Sequence, residues 1–540
     1  MNWKNRLWGA ALTAALMAMS VAGAEAQQQP QKTLRIGMTA ADVPTTSGMP
    51  NNGFEGMRFL GYTAFEALTA WDLSKADQVA GLRPGLAESW SQDPANPRVW
   101  RFTLRRNVTF HDGTPFNAEA VKFTFDTIAD PKTGSQGAVD MLGPYEGSDV
   151  LGPFEIRVRY KRPFADAVSS FAENELSPVS PTAVQKLGNT GFAQAPVGTG
   201  PFRFVSWEKG REVILERNPD YKWAPEFSTN KGPSKVAKIV HRFIPNAATR
   251  VAALEAGEVH ISDITPPLDT KRLGDSGKFK ANVGVAAGLP YGILLNTSRG
   301  PFMEKPVREA FMSAVDRPKL SQNLFFGLAK PAWGPLAPSS PHYDKAVEAY
   351  YPFNRDKAAK LLDDAGWKMG ANGIREKGGQ PLSVYAPCLL EPETCVAIQG
   401  DARRVGIDVK VENVLKQKQD ELIFANGYDL LPIRWVNNSA SVLSIPFTSA
   451  NIPEPGKFKF NWARWADPAL DKLLADAAAA TSPAEAAKLY SQAQKMIMDA
   501  AIFFPVHDQV QTVVHSAKLK GLRYAAGQWQ VRLHDVEPAN

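Results

Sequence analysis

The chain has 540 residues, a formal net charge of +6 and two cysteines. A chain of this length exceeds what one hydrophobic core usually supports, so we expect two or more lobes. The positive charge is mild, and basic residues are interspersed with acidic ones, which disfavours a nucleic-acid partner.

The N-terminus has the three parts of a secretory signal peptide over residues 1–26. Lys4 and Arg6 form a basic start, Leu7–Val21 is mostly apolar, and Ala24-Glu25-Ala26 fits a cleavage site. The apolar run is shorter than the roughly 20 residues of a membrane span. Because no cysteine stands directly after the cleavage site, we expect a soluble periplasmic protein without a lipid anchor.

Cys388 and Cys395 are the two cysteines, seven positions apart. In an oxidising compartment this spacing favours a small-loop disulfide over two free thiols. A metal site is not favoured, because no histidine and no second cysteine pair stands near them in the sequence.

Local patterns in the first third of the chain predict both strands and helices. Thr33–Met38 is a short strand, and Gly53–Leu68 has the apolar spacing of a helix. Pro84–Trp90 is predicted as a helix-like turn, and Trp100–Arg105 alternates as a half-buried strand does. Asn117 is placed to cap the helix that follows it.

Later segments continue the mixture of strands and helices. Strands are predicted over Val150–Tyr160, Val236–Ile244, Tyr291–Asn296, Leu382–Tyr385, Asp408–Glu412 and Phe503–Val510, a hairpin over Phe202–Arg217, and helices over Ala165–Glu173, Asn246–Gly257, Phe353–Trp367, Val396–Val405 and Ser482–Asp499. Their alternation in the second half indicates an open α/β sheet there.

Several of these segments carry longer motifs. They read PGLAESW from Pro84, WRFTLRRNVTFHDGTPFNAEAV from Trp100, APVGTGPFRF from Ala195 and TSRGPFMEKPVREAFMSAVDR from Thr297. Together they resemble the periplasmic solute-binding proteins of the peptide, nickel and opine ABC importers, which include the dipeptide- and oligopeptide-binding proteins. The resemblance implies an α/β fold with two lobes, mixed sheets flanked by helices, an extra inserted subdomain and a two-strand hinge.

The same resemblance implies where the lobes begin and end. Lobe one is expected over 30–289 together with 509–540, with an inserted subdomain over about 66–190. Lobe two is expected over 290–508. The chain would then cross between lobes twice, and hinge closure around a small ligand would be its activity.

Two segments supply candidate ligand-binding residues. In the resembled family the loop before the first long helix borders the cleft, which singles out Asn51, Asn52, Phe54 and Glu55 here. Asn and Glu near a helix N-terminus satisfy the backbone N–H groups of that helix, and this capping role is favoured over ligand binding for Asn51, Asn52 and Glu55.

The second segment is Arg434-Trp435-Val436-Asn437-Asn438. Peptide-binding relatives carry an aspartate after a comparable tryptophan, where it pairs with the α-ammonium of the peptide. Here Asn438, or Asn437 if the register slips by one, takes that place, and an amide does not neutralise an ammonium. Arg434 fits either a clamp for a ligand carboxylate or a solvated surface charge.

Enzyme motifs are absent from the sequence, which lacks H-E-x-x-H, G-x-S-x-G and C-x-x-C. We therefore expect no catalytic residues, no metal and no cofactor, and a monomer whose partners are a small ligand and the permease subunits of an ABC importer. The ligand would be a peptide, an opine or a modified amino acid. The alternative is a secreted hydrolase acting on a small amide or ester.

Overall fold

The structure is a computed structural model that describes residues 32–39, 61, 63–72, 80–133, 135, 137–454, 459–524 and 531–537. The signal peptide predicted at 1–26 lies outside these residues. Within them, no helix is both long enough and apolar enough to cross a membrane.

A mixed sheet of seven strands forms the first large layer. In spatial order its strands are Phe279–Val285, Val510–Ser516, Ile261–Asp263, Thr33–Met38, Lys238–Phe243, Glu212–Arg217 and Phe202–Glu208. Thr33–Met38 pairs in parallel with two neighbours, and the remaining pairs are antiparallel. The helices Ala247–Glu255 and Pro267–Asp275 accompany it. One of its strands comes from the end of the chain, so the chain must leave this layer and return.

An antiparallel sheet of four strands lies within residues 87–160. In spatial order its strands are Ala87–Asp93, Asn96–Leu104, Glu155–Tyr160 and Tyr145–Gly152, with a pair Thr69–Trp71 and Leu82–Pro84 beside it. Its helices are Ala118–Ala129, Gly137–Leu142, Ala167–Ser170 and Pro181–Gln194. Phe102 and Leu104 are buried while Arg101 and Thr103 are exposed, which confirms the predicted alternation. We call this unit the small subdomain, and with the seven-stranded sheet it makes the first lobe.

The helix-like turn predicted over Pro84–Trp90 is wrong. The structure has the end of one strand at Pro84 and a second strand, Ala87–Asp93, paired along its length with Asn96–Leu104. Gly85 lies between the two strands, where a Cβ would come within 2.5 Å of the Ala67 carbonyl oxygen. The pairing with neighbouring strands determines the backbone conformation of this segment, because tertiary pairing overrides a weak local pattern.

The second lobe is built around an antiparallel sheet of three strands. Its middle strand, Gly288–Leu295 (the central strand), pairs with Leu430–Val436 (the Trp435 strand) and with Phe503–His507 (the return strand). Ile293 and Phe504 face one hydrophobic core, whereas Leu294 and Phe503 face another. Both faces of the sheet are therefore covered.

Helices and small sheets surround this central layer. The helices are Lys305–Ala314, Arg317–Phe325, Arg355–Asp364, Pro392–Arg403, Lys416–Phe424, Ser444–Phe447, Pro468–Ala479 and Pro483–Asp499. The short strands are Lys368–Met369, Arg375–Lys377 and Gln380–Pro381, and Ser383–Cys388 pairs in parallel with Asp408–Asn413. A further pair, Arg523–Tyr524 with Val531–Arg532, lies near the C-terminus.

Helix starts follow the local signals closely. Asn117, Asn246 and Ser482 each accept a bond from a backbone N–H of the first turn, which satisfies a group that the helix leaves unpaired. The helix predicted over Ala165–Glu173 is too long, because the structure has a helix over Ala167–Ser170 followed by a separate turn of 3₁₀ helix.

Candidate ligand-binding site at the hinge

The chain passes between the two lobes twice, and the two crossings are bonded to each other. The first, 286–287, leads into the central strand, and the second, 508–509, follows the return strand. The Ala286 amide donates to the Gln509 carbonyl oxygen at 2.9 Å, and the Gln509 side-chain amide donates to the Leu289 carbonyl oxygen at 2.5 Å. These crossings match the predicted two-strand hinge.

The loop after the Trp435 strand is attached to the first crossing. The backbone N–H of Asn437 donates a hydrogen bond to the Ala287 carbonyl oxygen at 3.1 Å. Gly288 has φ of +109°, and a Cβ there would lie 2.3 Å from the Trp435 carbonyl oxygen. The close approach therefore requires glycine. We call residues 436–439 the hinge loop, because its backbone is held by the hinge itself.

Three of the predicted ligand residues meet at this loop. Trp435 is half-buried, and its ring packs edge-on against Phe460 with centroids 4.9 Å apart. Asn438 is 6% exposed, and the Asn437 side chain accepts a bond from the Ser439 amide at 2.7 Å. One edge of the second lobe thus combines an aromatic wall with amide groups, as small-ligand sites commonly do.

Arg434 has a partner that the sequence did not indicate. Its guanidinium lies 3.0 Å from the carboxylate of Glu391, and its side chain remains 37% exposed. Arg434 is therefore neither a plain solvated charge nor an arginine without a counter-ion. Glu391 stands between the two cysteines and directly before a proline, a position that could have singled it out.

Glu391 also reaches the return strand. Its second carboxylate oxygen lies 2.9 Å from Nε2 of His507, and the His507 ring packs against those of Tyr291 and Phe325 at centroid distances of 4.8 and 4.3 Å. Burial acts to raise the pKa of Glu391, but the bond from His507 and the charge of Arg434 outweigh it and hold the pKa below its ordinary value.

Asp508 lies on the second crossing itself. It is buried, and its Oδ1 atom has no hydrogen-bond partner among the residues that the structure describes. Burial raises the pKa of this carboxyl group to about 7, against the opposing charges of His507 and Lys330. Sequence reasoning missed Asp508, because its burial follows from the packing of the two lobes at the crossing.

The first lobe touches the hinge loop through Asp166. The Ser439 hydroxyl donates to the Asp166 carboxylate at 2.5 Å, and the Ala165 amide donates to the Ala478 carbonyl oxygen at 3.2 Å. Ala167 packs in the core of the small subdomain, whereas Ala440 packs in a core of the second lobe. The bond therefore joins the first lobe to the hinge loop of the second lobe.

The remaining predicted residues divide into two groups. Asn51, Asn52, Phe54 and Glu55 lie outside the described residues. Cys388 and Cys395 are joined in a disulfide. Among the residues that the structure describes, no three His, Cys, Asp or Glu side chains converge as a metal site would require.

One histidine, aspartate and serine do lie close together in the small subdomain, but as structural groups. Ser180 donates to Asp112 at 2.5 Å and caps a helix by accepting from the Ala183 amide. The ring of His111 instead bonds the Gly200 carbonyl oxygen at 2.9 Å, and burial lowers its pKa to about 4. This arrangement does not activate the serine, since the histidine is not its partner.

Two lobes joined by a double crossing, with an aromatic and amide-bearing loop at the junction, define a protein that encloses a solute. The model of the bacterial extracellular solute-binding proteins, family 5 (middle), matches residues 81–451, and the chain belongs to this family. It is thus a substrate-binding protein of the ABC importer class, as its motifs predicted, and no comparison supports the hydrolase alternative.

Known proteins with the same organisation cover nearly the whole chain. Protein XP55 of Streptomyces lividans is 27% identical over 513 residues, covering 92% of this chain and 89% of its own. The crystal structure of NikA from Brucella suis with Fe(III)-EDTA matches this structure with a TM-score of 0.80 at 22% identity. The match covers 93% of this chain and 99% of NikA. The structure of DppA from Helicobacter pylori in complex with the peptide STSA matches with a TM-score of 0.75 at 23% identity. The match covers 94% of this chain and 98% of DppA. The predicted two-lobed fold is confirmed.

Proposed function

We propose that this chain captures a peptide-like molecule or another small polar metabolite by hinge closure and delivers it to the permease subunits of an ABC importer. The observation that carries the proposal is the position of the hinge loop. Its backbone is bonded to the first crossing through Asn437, and its Ser439 side chain is bonded to the first lobe. A ligand that contacts this loop therefore favours one arrangement of the lobes over another.

The chemistry of the loop favours a ligand with a carboxylate and without a free α-amine at this place. Asn438 offers an amide, and leaving a buried ammonium beside an amide costs several kcal/mol. Arg434 keeps 37% of its side chain exposed beside this loop, and a planar guanidinium matches the geometry of a carboxylate. Opines, modified amino acids and other carboxylated metabolites meet these requirements, and a peptide does so if another acid binds its amine.

The rest of the proposal concerns location and partners. The protein would be exported through the signal peptide at 1–26, act as a periplasmic monomer without a lipid anchor, and bind without covalent chemistry or a cofactor. Asn51, Asn52, Phe54 and Glu55 would complete the site from the first lobe. Lobe boundaries near 289 and 508 agree with the crossings at 286–287 and 508–509.

Native mass spectrometry of the purified protein tests this function. We expect a retained small molecule, and solution scattering should show a smaller radius of gyration for the loaded protein than for protein stripped by partial unfolding and refolding. A retained molecule with a free α-amine and no carboxylate would contradict the proposed ligand class. Conversion of the molecule into a product would contradict the binding function.

A further inference from the structure

The hinge loop carries no charged side chain of its own. Its four residues, 436–439, are a valine, two asparagines and a serine. The charge beside it comes from the first lobe, because the Ser439 hydroxyl donates to the Asp166 carboxylate at 2.5 Å. Ser439 directly follows Asn438, and consecutive Cα atoms are about 3.8 Å apart. The Asp166 carboxylate therefore lies close to the place where a ligand would contact the amide of Asn438.

Asp166 does not perform the usual local role of an aspartate at its position. It directly precedes the short helix Ala167–Ser170, where an aspartate commonly accepts bonds from the backbone N–H groups of the first turn. The Asp166 side chain makes no such bond. Its carboxylate is bonded across to the second lobe instead. Helix capping therefore does not account for an acidic side chain here.

The carboxylate of Asp166 is half-buried and has no cationic partner among the residues that the structure describes. Within those residues its hydrogen-bond donor is the Ser439 hydroxyl, which is uncharged. A carboxylate that is partly removed from water and has no counter-ion favours the approach of a cation.

The titratable groups that face Asp166 from the second lobe are also uncharged at neutral pH. They are His342 and Tyr490, whose rings stack with centroids 5.5 Å apart. Burial lowers the pKa of His342 and raises the pKa of Tyr490, and the negative charge of Asp166 acts to raise both. The imidazole is therefore neutral at pH 7, and the phenol keeps its proton. Neither group neutralises the carboxylate.

We propose that Asp166 binds an ammonium group of the ligand across the cleft, beside the amides of the hinge loop. The proposal rests on the proposed function and deepens it, because the ligand then carries an amine as well as the carboxylate proposed above. The hinge loop alone offers an ammonium no acid, and Asp166 supplies one from the opposite lobe. The Asn438 side-chain oxygen is a further acceptor for the same group.

This arrangement connects the charge of the ligand to the closure of the lobes. The acid belongs to the first lobe and the amide acceptors to the second, so an ammonium contacts both only when the lobes meet. A ligand that binds one arrangement better than another shifts the population toward it. A charge-assisted hydrogen bond to Asp166 thus favours the closed arrangement.

Two variants separate the charge of Asp166 from its bond to the hinge loop. Asp166→Asn removes the negative charge, but the side-chain oxygen of asparagine can still accept from Ser439. Ser439→Ala removes the bond and keeps the charge. Glu146→Gln removes an exposed charge of the same sign from the same subdomain and is the matched control.

The probes are the small molecules that unfolding releases from the purified wild-type protein. They are used as released and after treatment with acetic anhydride, which converts an amine into an uncharged amide. Titrations of stripped protein by native mass spectrometry give the affinities. We expect the wild-type protein and Glu146→Gln to bind the untreated molecule about 10- to 100-fold more tightly than the acetylated one. Asp166→Asn should lose this preference, and Ser439→Ala should keep it.

The outcomes distinguish this proposal from the binding function. A released molecule that gains no acetyl group carries no amine, which overturns the proposal and leaves the binding function standing. A wild-type preference in Asp166→Asn also overturns it, because the size of the acetyl group and not the lost charge then explains the preference. A preference that Ser439→Ala loses would assign the effect to the bond between the lobes and overturn it as well. A protein that retains no molecule contradicts the binding function, and the proposal fails with it.

Discussion

At the scale of single residues, Asp508 has an environment that disfavours its charge. The carboxyl group is buried on the second crossing, and burial raises its pKa to about 7. An aspartate in an unfolded chain has a pKa near 3.9. Between these values the folded protein binds a proton that the unfolded chain has lost, so the free energy of unfolding should fall as the pH rises from about 4 to about 7.

Asp508→Asn removes this pH dependence, because asparagine mimics the neutral acid at every pH. We expect the variant to match wild-type stability near pH 4 and to be more stable at pH 8 by up to about 4 kcal/mol, at 1.36 kcal/mol for each pH unit between the two pKa values. Melting temperatures at the two pH values measure the difference. Glu216→Gln, at an exposed carboxylate, serves as the control. An equal gain at both pH values would contradict this explanation.

At the scale of secondary-structure elements, the start of the central strand depends on Gly288. Its φ is +109°, and an added Cβ would lie 2.3 Å from the Trp435 carbonyl oxygen and 2.7 Å from the Asn437 nitrogen. Both atoms belong to the backbone, so no side chain can move aside to relieve the clash. The pairing of the central strand with the Trp435 strand, and the position of the hinge loop, therefore depend on this glycine.

Gly288→Ala should lower the free energy of unfolding by about 2 kcal/mol or more, which a lower melting temperature will show. It should also reduce the amount of retained ligand. Gly210→Ala is the matched control. Gly210 has a φ of +68°, but a Cβ added there would meet nothing within 4 Å, so its cost is the left-handed backbone alone, about 1 kcal/mol. Equal losses in the two variants would show that the close approach at Gly288 is unimportant.

At the scale of the whole molecule, the bond between Ser439 and Asp166 joins the first lobe to the hinge loop. Such a contact forms when the lobes approach each other and is lost when they separate. It therefore adds a small free energy to the closed arrangement even without ligand, and the population of that arrangement responds to it.

Asp166→Ala should shift the ligand-free protein toward the open arrangement and increase its radius of gyration in solution scattering. Ser439→Ala should have the same direction of effect, and the double variant should add little to either change, because both remove one bond. Glu146→Ala removes an exposed carboxylate from the same subdomain and should leave the scattering unchanged. A wild-type curve for Asp166→Ala would show that the bond does not contribute to closure.

Local signals in the sequence determined the units from which the protein is built. Caps at Asn117 and Ser482 and the alternation through Phe102 and Leu104 act over a few residues. Interactions at this range depend on nearest neighbours along the chain, so they can be predicted without the fold. The longer motifs predicted the family and the two-lobed fold, and both are confirmed.

The tertiary structure alone decided which groups meet at the hinge. Glu391 is separated from Arg434 by 43 positions and from His507 by 116, and Asp166 is separated from Ser439 by 273. The segment Pro84–Trp90 failed as a helix-like turn for the same reason, because its conformation depends on a partner strand. Burial, ion pairing and protonation follow from the packing of distant segments, and no local pattern carries that information.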